Sequence, residues 1–247
     1  MMRAALVLLL AGLSLGLPVS AAEIEPLDEL LVKVTTAYGG ETAREGTKGV
    51  RQTGVTYSSM RRQEGRIVRT YQAPDRLRIE ILYPETEELR ILNGPHAWKR
   101  EQPMGKPFRD ALMLQAVRMG LPWNLLQGRA QLRDLGMQAI DAGQTLRMLE
   151  LPLGANLAIK VGIDPESSLI MRSIGTMTGS MGVMEFGTVY EDFRTQDGRR
   201  YAGVEHHYVG GQSTGHTRID RMEFLDRFPE ESLFIPPGPE AKTRQHI

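Results

Sequence analysis

The sequence predicts a mostly β (α+β) protein: one large, strongly curved antiparallel sheet of about eleven strands, with a helix before it and another inserted midway. Three observations predict it. Apolar and polar residues alternate with period two over most of the chain, turn dipeptides separate the alternating runs, and two stretches switch to a helical period. A sheet that large has to curl or pair to bury a face.

The elements follow in order. Arg3 gives a positive start, residues 4–17 form an apolar run too short to span a bilayer comfortably, and Pro18, Ser20 and Ala22 set up a small-x-small site. A signal peptide over residues 1–22, cleaved after Ala22, is expected, and export then places the protein in the periplasm; Val19 and Ala21 offer a second site one residue away. No later segment reaches the roughly 20 apolar residues of a spanning helix. About 225 residues remain, within the size of one domain, so residues 23–237 are expected as a single unit and 238–247 as a flexible tail.

Pro26 opens an amphipathic helix in which Leu27, Leu30, Leu31, Val34 and Tyr38 share a face, and Gly39-Gly40 stops it. Strands are expected at residues 47–57, 66–71, 75–83, 87–92 and 97–100. In the third, Leu77, Ile79, Ile81 and Tyr83 alternate with Arg76, Arg78 and Glu80, and Ile79 is given no ligand role. From residue 103 to about 135 the character changes. Phe108, Leu112, Met113, Ala116, Val117 and Met119 stripe a helix that Gly120 ends, and the apolar segment Pro122-Trp123-Asn124-Leu125-Leu126 follows. Strands resume at 145–151, 157–163, 169–177, 183–193, 199–209 and 215–224, with turns marked by Asp164-Pro165 and Asp197-Gly198.

Composition narrows the function. Lys plus Arg and Asp plus Glu balance at 30 each, which gives no push towards nucleic acid. The chain has no cysteine, which removes a lipidated N-terminal Cys, a disulfide framework and thiolate chemistry together. His206 and His207 are adjacent, so on a strand they face opposite ways and cannot share an ion; His216 could approach one of them across the Gly210-Gly211 hairpin. No HExxH, GxSxG, GxGxxG, Walker or Ca²⁺-loop pattern is present, so no catalytic residue, metal or cofactor is assigned.

Several segments resemble a known family. The order of elements, with Pro-Asp-Arg-Leu-Arg-Ile-Glu at 74–80, Ile-Leu-Asn-Gly-Pro-His-Ala-Trp at 91–98, Tyr-Glu-Asp-Phe-Arg-Thr-Gln-Asp-Gly-Arg-Arg-Tyr at 190–201 and Leu-Phe-Ile-Pro-Pro at 233–237, is similar to the periplasmic lipoprotein carriers (LolA/LolB-like). Arg78 and Gly94 to Trp98 occupy places comparable to family motifs. The sequence departs in Leu77 and Ile79 beside Arg78, in Asn93 before Gly94, and in an inserted Pro95-His96. The resemblance implies an incomplete β-barrel over an apolar cavity, lidded by the two helices, that receives the acyl chains of lipid or lipoprotein cargo from a membrane-bound donor or for an acceptor. It also implies a non-enzymatic carrier.

On that reading Trp98, Phe108, Leu112, Met113, Val117, Met119 and Trp123 are candidate apolar ligand contacts, since Leu and Met side chains adapt to irregular ligands, and Arg78 is the candidate lid or gating residue. Plain core for the Met113, Met119 and Trp123 surface, and an ion-paired surface position for Arg78, remain open beside it. So do two other functions: a lipid-responsive regulatory or interaction module on the same scaffold, and an exported hydrolase or metal-dependent enzyme.

Overall fold

All eleven expected strands form, and within each half of the chain neighbours in sequence pair antiparallel. In the computed structural model residues 25–140, 143–180 and 182–238 are described; the expected leader at 1–22 and residues 239–247 of the expected tail lie outside them. The first half runs α1 (Leu27–Ala37), α2 (Gly40–Glu45), β1 (Gly49–Ser58), β2 (Gln63–Gln72), β3 (Arg76–Leu82), β4 (Glu87–Asn93), β5 (His96–Lys99) and β6 (Gln102–Pro103). Next come α3 (Lys106–Met119) and α4 (Trp123–Gln127). The second half is β7 (Arg133–Ala139), β8 (Thr145–Gly154), β9 (Leu157–Ile163), β10 (Ile170–Gly179), β11 (Gly182–Gln196), β12 (Arg199–Val209) and β13 (Gln212–Leu225).

Among the described residues the sheet has thirteen strands in the order β6-β5-β4-β3-β2-β1-β13-β12-β11-β10-β9-β8-β7. It consists of two meanders joined by pairing the first strand with the last, Val50 opposite Phe224 and Thr56 opposite Thr217. The edges β6 and β7 do not pair with each other, so the sheet stays open instead of closing into a barrel. Those edges are also the two strands absent from the sequence reading. β6 has two residues, and β7 is exposed along most of its length, so nothing in it alternates. Its pairing is interrupted between Asp134 and Met137, and such irregularity blunts a sheet edge against further pairing.

The helical insert connects one edge to the other, which carries it across the inner face of the sheet. α3 touches β3, β4 and β5 of the first meander and β9 and β10 of the second. Leu114 and Val117 pack with Leu149, Leu151, Ile159 and Val161, whereas Leu112 and Ala116 pack with Ile67, Leu77, Ile79 and Ile81. Gly175 on β10 lets the helix come this close. A Cβ there would stand 2.6 Å from Leu114 Cδ1, nearer than packed side chains tolerate.

α1 begins after Pro26 and buries Leu30, Leu31 and Val34 against Leu125 of α4. Gly39, at φ 111°, ends it as its left-handed backbone requires, but the chain then turns into the short α2 before the first strand. The Asp197-Gly198 turn has φ of 51° and 72°, the two positive values of a type I′ hairpin.

Candidate functional site

Parity along the strands decides what the inner face presents. On β3 the inward residues Leu77, Ile79 and Ile81 are buried, and on β1 and β2 the same face carries Val50, Ile67 and Tyr71. Opposite them stand Phe186, Phe193, Tyr201, Met222 and Phe224 from β11, β12 and β13. Phe108, Ala111, Leu112 and Met119 of α3 roof the space between, and a cavity of about 510 Å³ remains. That volume lies within the range of about 300–1,000 Å³ typical of small-ligand clefts.

A polar band crosses this otherwise apolar face. Arg69 donates from Nη1 to Glu205 Oε2 at 2.6 Å and to Gln52 Oε1 at 2.9 Å, and from Nη2 to Thr217 Oγ1 at 3.3 Å. Thr217 donates to Thr56 Oγ1 at 3.0 Å, and His207 Nε2 lies 2.9 Å from Thr217 Oγ1. From the helix above, Arg118 Nε donates to Ser173 Oγ at 2.9 Å and Nη2 donates to the Phe186 carbonyl; Ser173 in turn bonds the Tyr190 hydroxyl at 2.8 Å. Shared hydrogen bonds of this kind let polar groups sit away from water without large cost.

Burial sets the charge states. It pushes the Glu205 carboxyl up, but the Arg69 guanidinium and His207 outweigh it and hold Glu205 below the usual carboxylate range. It pushes His207 down to about 4, against the opposing pull of Glu205 and with the help of Arg69 and Arg118. The Tyr190 hydroxyl is raised to about 12 by the same loss of water. Arg118 is lowered by burial, against the pull of Tyr190 and Glu205.

The candidate residues separate into four places. Phe108, Leu112 and Met119 line the cavity, as does Ile79, which had been given no role. Met113 packs between the two halves of the core and Val117 sits within one of them, whereas Trp123 lines a smaller pocket of about 120 Å³ beside Tyr71 and Asn124. Trp98 and Arg78 are on the outer face. Arg78 stands opposite Ile91 and Ile91 opposite Trp98, all on the parity that points away from the cavity. There Trp98 packs with Leu89, Ile91 and Phe234, and Arg78 donates to the Leu233 carbonyl at 3.1 Å and to Glu80 at 2.8 Å. Arg78 therefore bonds its strand neighbour Glu80 and the C-terminal turn, Glu231–Phe234.

The polar band was missed by sequence reasoning, although a signal existed. Arg69 stands between Ile67 and Tyr71 at the inward parity of β2, and Glu205 follows Tyr201 at the inward parity of β12. A charge at an apolar parity is what a buried site looks like in sequence. His206 and His207 face opposite ways: His207 lines the cavity, whereas His206 lies against Glu191 at 3.2 Å and its ring is 6.1 Å from that of His216. Among the described residues no group of three or more His, Asp or Glu side chains is arranged to hold a metal ion.

This architecture, an open antiparallel sheet around a cavity roofed by an inserted helix, is shared in fold by solved structures of low sequence identity. A LolA superfamily protein from Nitrosomonas europaea superposes with a TM-score of 0.54 over 84% of this chain and 96% of that one, at 12% identity. An outer membrane lipoprotein-sorting protein domain from Vibrio parahaemolyticus aligns with a TM-score of 0.48 over 83% and 94%, at 8% identity. No family model matches the chain, and no curated protein does. No helix among the described residues is long and apolar enough to cross a membrane.

Proposed function

We propose that this protein is a periplasmic carrier that shelters the acyl chains of a lipid or lipoprotein cargo while it crosses water. The observation that carries the reading is the cavity of about 510 Å³ left between α3 and the sheet, walled by Ile67, Leu77, Ile79, Ile81 and Phe224. Acyl chains suit such walls because each methylene taken from water stabilises the complex by about 0.8 kcal/mol. Ten methylenes therefore supply roughly 8 kcal/mol before any polar contact is counted.

On this reading Phe108, Leu112 and Met119 touch the chain from above, and the Met side chain adapts to chains of different shape. The N-terminal sequence directs export, and a membrane-bound donor or acceptor exchanges the cargo. The fold shared with a LolA superfamily protein supports the carrier reading. The test is native purification of the mature protein followed by mass spectrometry of an organic extract. Near-stoichiometric acyl lipid is expected. A clean extract, together with no binding of an apolar fluorescent probe, would sink the proposal.

A further inference from the structure

The cavity carries a charge imbalance that an empty hydrocarbon site does not need. Arg69 is buried and spends one guanidinium nitrogen on Glu205 and Gln52, but its Nε has no hydrogen-bond partner among the described residues. Among the described residues the hydrogen bonds of Arg118 go to neutral groups, the Ser173 hydroxyl and the Phe186 carbonyl. Both arginines line the same cavity, and both draw on the single carboxylate Glu205. Against these two cations the same cluster offers one carboxylate, Glu205, while His207 is neutral near pH 7 because burial holds it at about 4. Of the other arginines lining the cavity, Arg90 bonds Glu88 and Arg200 is exposed.

A cation held away from water without a counter-ion is unfavourable, and the imbalance is relieved by an anion brought in with the ligand. Arginine suits that task because its planar fork meets a carboxylate or phosphate through paired charge-assisted bonds. Apolar walls with cationic groups set between them fit one chemical class. We infer that the cavity prefers amphiphiles with an anionic head, the head seated at Arg118 and Arg69 and the chain lying along Ile67, Ile79 and Phe224. This rests on the carrier reading above and narrows its cargo.

Competition against an uncharged fluorescent probe, N-phenyl-1-naphthylamine, on delipidated mature protein at pH 7.5 separates the two claims. Dodecanoate or dodecyl phosphate is expected to displace the probe about tenfold more strongly than dodecanol, as charge-assisted bonds to a partly dehydrated guanidinium imply, and which of the two is stronger identifies the head. Acetate, which lacks the chain, is expected to leave the probe in place. Arg118→Gln should erase the preference, so that dodecanoate and dodecanol displace the probe alike, and Arg118→Lys should keep part of the preference.

Equal displacement by dodecanoate, dodecyl phosphate and dodecanol in the wild-type protein overturns the inference and leaves acyl carriage intact. Displacement by acetate at the same concentration overturns it too, by reducing the cluster to a plain anion site. Failure of the probe and of every amphiphile to bind overturns both claims. The comparison within the wild-type protein stands even if an Arg118 variant does not fold.

Discussion

The two halves of the sheet are covered differently, and that difference makes the cavity. Under β8, β9 and β10 the inner face is filled from three helices: Leu30, Leu31 and Val34 of α1, Leu114 and Val117 of α3, and Leu125 of α4 all pack on Leu149, Ile159 and Val161. Over β1, β2 and β3 the cover is α3, whose Leu112 and Ala116 reach Ile67, Leu77 and Ile79, and about 510 Å³ is left open. The same strand chemistry gives a solid core where three helices meet it and a cleft where one does.

The band from Arg69 to Glu205 lies under the open side, and breaking it should have the largest effect. Glu205→Ala leaves the Arg69 guanidinium buried without its partner and should cost about 3–5 kcal/mol, read by chemical denaturation at pH 7. Acid should act on the same band in two steps. His207 titrates near 6.5 unfolded and at about 4 folded, so the unfolded chain takes up the proton first and stability falls as pH drops from 6.5 towards 4. Glu205 has a folded pKa below its unfolded value of 4.5, so its contribution is present above 4.5 and is lost as pH falls through the folded pKa. Melting temperatures measured from pH 7.5 to 4 should therefore decline, and His207→Gln should flatten the first part of that decline.

A matched pair of isoleucines tests the two halves directly. Ile159 and Ile79 are 0% and 1% exposed, so burial alone predicts equal losses. Ile159→Ala creates a new void in packed core and should cost about 2–5 kcal/mol with unchanged probe affinity. Ile79→Ala enlarges a cavity already present and should fall near the bottom of that range, about 2 kcal/mol, while changing probe affinity severalfold. Equal losses with equal binding would mean that the halves do not differ as described.

Filling the cleft should do the reverse. Ala111 faces it from α3, and Ala111→Trp should lower probe affinity at least tenfold while stability changes by about 1 kcal/mol or less, read by paired titration and melting. The smallest effect belongs to Arg78→Leu. Loss of the bond to the Leu233 carbonyl should loosen the C-terminal turn by about 1 kcal/mol and leave ligand release rates unchanged. Slowed or accelerated release would instead support Arg78 as a gating residue.

Much of this was legible in local pattern. The eleven inner strands, α1, α3 ending at Gly120, and the hairpin at Asp197-Gly198 all follow from period and turn chemistry, because side-chain direction along a strand or helix is set by the backbone itself. The edge β7 was not legible, since a strand with neither face buried has no reason to alternate. Met113 and Val117 read as ligand lining because stripe membership reports that a residue points inward, but not which part of the sheet it meets.

The sequence by itself thus determined the elements, their order and the inserted helix, all consequences of local periodicity. Only the tertiary structure decided that β1 pairs with β13, that Arg78 and Trp98 turn outward beneath Phe234, and that Arg69, Glu205 and Arg118 meet in one cleft. Those outcomes depend on contacts between residues far apart in the chain, 136 positions in the Arg69–Glu205 pair and more across β1 and β13, and on how many helices cover each part of the sheet. No local repeat encodes either.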